Sequence, residues 1–167
     1  MKIIPWFIVI FIAYILQSSL LTAIAYEGIC VDLMMLIAVS ISIIREQYAI
    51  LAGFCIGLFH DLASGTFLGI HTFSLLIICF FSSVLSQRIY KENIFLPLAT
   101  SVSATLLNNF IIALLIFLLG YNYNVWLVVN NALIALIYNL IFAYPVYLFV
   151  LKLDSPIDNF IKMSKQF

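Results

Sequence analysis

The chain has 167 residues, of which 66% are hydrophobic and 8% charged, and its seven Lys and Arg balance seven Asp and Glu. Soluble domains carry about 45–50% apolar and about 25% charged residues, so this composition belongs to an all-α integral membrane protein. Its balanced charge, with no basic cluster, excludes nucleic acid as a partner. At about 20 residues per span, the length admits six or so membrane helices and no soluble domain, so 1–167 reads as one membrane domain.

Apolar runs fall at 3–25, 31–44, 48–59, 70–87, 96–119 and 126–151. Ala23-Ile24-Ala25 fits the small-x-small rule of a cleaved signal, but the apolar run before it is too long and carries Gln17, Ser18 and Ser19. The first span is therefore expected to stay. Asp32 stands where the second span begins and is placed to cap that helix and favour its dipole. The second and third runs are short for a hydrocarbon core about 30 Å thick, which implies flanking helical residues or shelter inside a bundle.

Gln17, Asn108, Asn109, Asn130, Asn131 and Asn139 are polar side chains within apolar runs, and each needs a hydrogen-bond partner away from water. We read Gln17, Asp32, Asn108 and Asn109 as structural polar groups. Pro97 suits a first helical turn, and Pro145 inside the sixth span should kink it and free a carbonyl near Ile141. Ser155-Pro156-Ile157-Asp158 has the pattern of an N-cap, an N1 proline and an acidic partner. It predicts an interfacial segment over 155–167, with Ile157, Phe160 and Ile161 on membrane lipid and Lys162 and Lys165 at anionic headgroups.

Charge selects the span count. Six spans place all seven Lys and Arg on one side, whereas five split them two against five. Cytoplasmic loops collect these residues, so six spans with both termini inside are expected, and the turn after His60 then faces out.

That turn lies in the most informative stretch: Gly53-Phe54-x-x-Gly57-Leu58-x-x-Asp61-x-x-x-Gly65-x-x-Leu68-Gly69. Ala49, Gly53, Gly57 and Asp61 recur at every fourth residue, which strips one helix face to backbone and invites a second helix. The occupant is either a partner's transmembrane helix or another helix of the same bundle. Gly65 and Gly69 suit an outer turn that needs positive φ.

An acid in a lipid-facing setting costs about 2.5–3.5 kcal/mol on insertion scales. Asp61 is accordingly expected to fix the turn, through Ser64, Thr66 or nearby amides, rather than to relay protons. Asn, which keeps an acceptor oxygen, should replace it better than Leu. Cys30, Cys55 and Cys79 have no metal-type spacing and read as small buried hydrophobes, and His60, Asp61 and His71 lack a ligand spacing. No metal, cofactor or catalytic set is expected.

The glycine–aspartate stretch resembles the signature of the MreD family of rod shape-determining membrane proteins, whose motif reads much like G-F-x-x-G-L-x-x-D-x-x-x-G-x-x-L-G. Ile15-Leu16-Gln17-Ser18-Ser19-Leu20-Leu21 is similar to the family's L-Q-S-x-L pattern. Asp32-Leu33 is similar to its P-D-L, with Val31 in place of the proline.

The resemblance implies a non-enzymatic scaffold in the bacterial inner membrane. It implies binding to MreC and, through it, to a class B penicillin-binding transpeptidase, the glycosyltransferase RodA and the actin-like MreB, and it allows a homodimer. Gly53, Gly57, Asp61, Gly65 and Gly69 become the partner-binding and helix-packing set. It also implies a six-transmembrane-helix bundle similar to the substrate-binding subunits of ECF-type vitamin transporters. Such a transporter subunit is the alternative reading. Ala13, Ala23 and Ala25 do not form the Ala-x-x-x-Ala face those subunits offer their transport partner, so the scaffold is favoured.

Overall fold

The computed structural model describes residues 3–21, 25, 28–65, 68–87, 95–120 and 124–163. Six α-helices follow one another: α1 Ile3–Leu16, α2 Leu33–Ile44, α3 Ala49–Ser64, α4 Ile70–Ser86, α5 Phe95–Leu118 and α6 Val125–Met163. A π-helical turn at Gln17–Leu21 extends α1, and a 3₁₀ turn at Glu46–Tyr48 leads into α3. No strand occurs among the described residues.

The bundle is organised around its shortest helix. At 12 residues, α2 is about 18 Å long and falls short of a hydrocarbon core of about 30 Å. It tolerates this because the other helices surround it: every residue from Met34 to Ile43 is buried. A helix apolar all round has no polar face to turn outward and is stable only in such a position. Its two serines close their hydrogen bonds on their own helix, Ser40 to the Leu36 carbonyl and Ser42 to the Ala38 carbonyl, both at 2.7 Å.

Around α2 the usual partition is reversed. Phe7, Phe11, Phe54, Phe80, Phe110, Phe117, Leu133 and Ile141 are exposed, while Ser74, Ser82, Thr100, Ser101, Thr105 and Asn139 are buried. Soluble monomers rarely expose continuous apolar patches above a few hundred Å². Here the apolar exterior suits a solvent that is itself hydrocarbon. Of the helices, α5 and α6 are long and apolar enough to cross a membrane on length alone.

Three boundaries differ from the sequence reading. The helical run through the third segment continues past Phe59 to Ser64, so Asp61 lies in the last helical turn of α3 and not in the loop. Gly65, at φ 65°, ends the helix in the left-handed conformation that glycine adopts without strain. The α-helix of the first segment gives way to the π turn at Gln17, while the stretch toward Ala25 lies partly outside the described residues.

At the far end, α6 runs unbroken through Pro145 and Pro156 to Met163, so the helix start expected at Ser155 is absent. Each proline removes one amide donor. The helix nevertheless carries on, fastened at that level by an ion pair with no local signal in the chain: Arg45 Nε, just after α2, donates to Asp154 Oδ1 of α6 at 2.6 Å.

Candidate functional site

The N-terminus of any helix leaves amide donors with no partner inside the helix. At the start of α4 those donors are taken by Asp61 of α3. The Gly69 and Thr72 amides donate to its Oδ2 at 2.9 and 3.0 Å, and the His71 amide donates to Oδ1 at 3.0 Å. The Thr72 hydroxyl adds a fourth bond to Oδ2. Asp61 is only 1% exposed, so these bonds form where water does not compete.

The acid is thus the N-terminal cap of the next helix, supplied from eight to eleven residues upstream. The Ser64 hydroxyl donates to the Asp61 backbone carbonyl, at 3.4 Å, and Thr66 lies outside the described residues. Gly69, at φ 104°, brings the chain back into α4.

The glycine stripe on α3 faces the same neighbour. A Cβ built on Gly57 would stand 2.5 Å from the Thr72 Cα, and one on Gly53 would stand 2.7 Å from the Leu75 carbonyl oxygen. Both obstacles are backbone of α4. The groove that was open to two readings is therefore filled by α4 of this chain, and a partner helix has no room there. Gly65 and Gly69 have no heavy atom within 4 Å of such a Cβ, so their need is conformational.

A second polar set joins the turn after α1 and the start of α2 to the middle of α5 and of α6. Asp32 caps α2 by accepting from the Met35 amide at 3.0 Å, and Gln17 Oε1 accepts from the Met34 amide at 3.2 Å. Asn139 Oδ1 in turn accepts from the Asp32 amide at 2.9 Å, and its Nδ2 donates to Thr105 Oγ1 at 3.1 Å. Asn108 accepts from the Ser74 hydroxyl at 2.6 Å and ties α4 to α5, whereas Asn109 donates to the Thr105 carbonyl of its own helix. The sequence identified Asn139 as polar but not as the residue on which α2 and α5 meet α6. Its 107-residue separation from Asp32 carries no local signal.

Asn139→Leu keeps the forked shape and removes both interhelical bonds. It should lower stability by about 1–2 kcal/mol, since membrane hydrogen bonds average about 0.6 kcal/mol and the Asp32 amide is also left unpaired. Asn130→Leu, on an exposed position of α6, should change the melting temperature little. Thermal unfolding in detergent, with both variants side by side, checks this.

The chemistry of the site is structural. Among the described residues no buried side-chain nitrogen or oxygen lacks a partner, and no three His, Cys, Asp or Glu side chains converge as a metal site would need. The His60 and His71 rings lie 4.2 Å apart, with Tyr14 edge-on to His60. Of the cysteines, Cys79 is buried, Cys30 half-buried and Cys55 exposed, so the expectation of three buried thiols fails at Cys55. Burial first, and then the Asp32 carboxylate, push the Cys30 thiol above its ordinary value and keep it a neutral, unreactive thiol.

An apolar exterior around a polar-stapled helical interior defines a membrane protein whose buried polar groups serve its own architecture. The family profile described as rod shape-determining protein MreD matches residues 1–154, and the chain belongs to that family. Its members are membrane proteins of the cell-shape system, a structural family. No curated protein and no solved structure matches the chain.

Proposed function

We propose that this protein is a non-enzymatic scaffold subunit of the cell-elongation machinery in the bacterial cytoplasmic membrane, which binds MreC and so helps to regulate peptidoglycan synthesis. MreC would connect it to RodA, the class B transpeptidase and MreB. The observation that carries the reading is the saturation of Asp61. An acid that accepts four hydrogen bonds from its own chain, three on Oδ2 and one on Oδ1, is committed to holding a surface in shape. The surface held is the α3–α4 turn, where Leu62 and Leu68 are 64% and 70% exposed, and we take it as the contact with MreC.

Co-purification from membranes tests the reading. The wild-type chain should recover MreC, and Leu62→Ser with Leu68→Ser should lower the yield several-fold at equal abundance. Recovery of an ATPase module with a bound vitamin, and no MreC, would instead establish the transporter alternative.

The proposal includes six spans with both termini in the cytoplasm, supported by the one-sided Lys and Arg distribution. In a background without native cysteines, a cysteine at position 64 should react with an impermeant maleimide from outside intact cells, and one at position 91 should not. Labelling at both positions, or the reverse pattern, would overturn the topology.

A further inference from the structure

Two imidazoles face each other across the α3–α4 junction. His60 stands beside Asp61 in α3 and His71 is the second residue of α4, and their rings lie 4.2 Å apart with a tilt of 40°. Tyr14 of α1 meets His60 edge-on at 6.2 Å, so the contact joins three helices. Both histidines are half-buried and within reach of water, so protons can come and go.

The groups around the pair are acidic or neutral. Asp61 and Asp32 are the carboxylates whose charge acts on His71. Asp61 accepts from the Gly69, His71 and Thr72 amides and Asp32 from the Met35 amide, so each is held as a helix cap. Among the described residues neither imidazole forms a salt bridge. Tyr14 is the titratable group of α1, Cys30 lies beside Asp32, and α2 and α5 carry no titratable side chain. Cys55 and Cys79 stand five and eight residues away along α3 and α4. The turn with Arg45, Glu46 and Tyr48 touches the opposite end of α3, about 17 Å from His60.

Proton count then decides how the pair behaves. Neutral rings can stack, and a single imidazolium is favoured by the two nearby carboxylates. A second proton puts two like charges 4.2 Å apart, where their repulsion is well above thermal energy even at the effective dielectric of a protein surface. Neither carboxylate can turn to neutralise that charge without uncapping a helix.

We infer that His60 and His71 form an acid-sensitive latch: the stacked pair accepts one proton, and a second drives the rings apart and loosens the start of α4 from the end of α3. Separated imidazoles each take up a proton near about pH 6.5, so below that value the parted form binds one proton more than the latched form. Acid therefore favours the parted form, and the latch recloses as pH rises. Ordinary aspartates take up protons nearer about pH 4, beneath this window. One excluded proton shifts the equilibrium by at most about thirtyfold between about pH 7.5 and about pH 5. The latch needs neither the proposed topology nor MreC and is tested on the isolated chain, so either reading can fail alone.

Hydrogen–deuterium exchange of the full chain in detergent, at about pH 7.5 and about pH 5 and corrected for the intrinsic exchange rate at each, reads the opening. Protection of the amides at 69–73 should fall about tenfold at the lower pH in wild type, within the limit set by one proton, while protection over 38–43 in the core of α2 should hold. His60→Phe keeps a ring in the stack that takes no proton, and His71→Gln leaves His60 without a charged neighbour. Both should remove the fall, and if one of them aggregates the other decides. Equal protection at the two pH values in wild type would overturn the inference. So would a fall that persists in the variants, which would assign the effect to Asp61.

Discussion

Asp61→Leu should cost about 3 kcal/mol or more and abolish rod-shape complementation, whereas Asp61→Asn should fall between it and wild type. Leu removes every acceptor and leaves the Gly69, His71 and Thr72 amides facing a buried hydrocarbon surface. Each such donor costs about 1–3 kcal/mol when unpaired, which outweighs the gain from replacing an acid with an apolar group. Asn keeps one acceptor oxygen. Placed where Oδ2 stands, it can still serve Gly69 and Thr72, but its NH₂ then confronts the His71 amide, donor against donor. One lost bond in place of all of them should cost about 1–2 kcal/mol, less favourable than the sequence alone suggested. Melting temperatures in detergent, with abundance in the membrane as control, give the ranking. If Asn and Leu variants melt together at the wild-type temperature and both fail in cells, the acid has a role beyond holding the turn.

The need of Asp61 for partners and the identity of those partners were not equally legible in the sequence. That Asp61 needed partners follows from the cost of an acid in an apolar run, and that Asp32 caps α2 follows from its place before Leu33-Met34-Met35. Which donors Asp61 serves could not be read, because His60, Asp61 and Ser64 have turn-forming composition and made the helix look finished at Phe59. The helix instead runs on through the tertiary capping residue, two positions past Phe59, to Ser64. The glycine spacing likewise fixes how close a neighbour comes, since it describes one face, but it says nothing of which chain supplies the neighbour. The Arg45–Asp154 pair spans 109 residues and shows in no local pattern. Its arginine was legible only as one cation on the side that collects them.

Gly57→Ala should destabilise the protein by about 2 kcal/mol despite being the mildest substitution available. In an exposed helix the change gains about 1 kcal/mol of helix propensity. Here the added methyl stands 2.5 Å from the Thr72 Cα and 3.0 Å from the His71 carbonyl oxygen and the Thr72 amide, all backbone atoms with no rotamer by which to yield. Helix α4 has to retreat by about 1 Å, and overpacking of that kind costs about 1–3 kcal/mol.

Retreat is itself opposed by Asp61, which grips Thr72 through both its amide and its hydroxyl, so the collision and the staple act on one residue. The two sites are therefore coupled. In the double variant Gly57→Ala with Asp61→Leu, the helix is already released when the methyl arrives, and the combined loss should be smaller than the sum of the single losses by about 0.5–2 kcal/mol. Ile50→Ala, on an exposed face of α3 where lipid replaces lost side-chain contacts, should be nearly neutral and additive with either. Additivity of Gly57→Ala with Asp61→Leu, or a neutral Gly57→Ala, would mean that α4 is not held against α3 through Thr72.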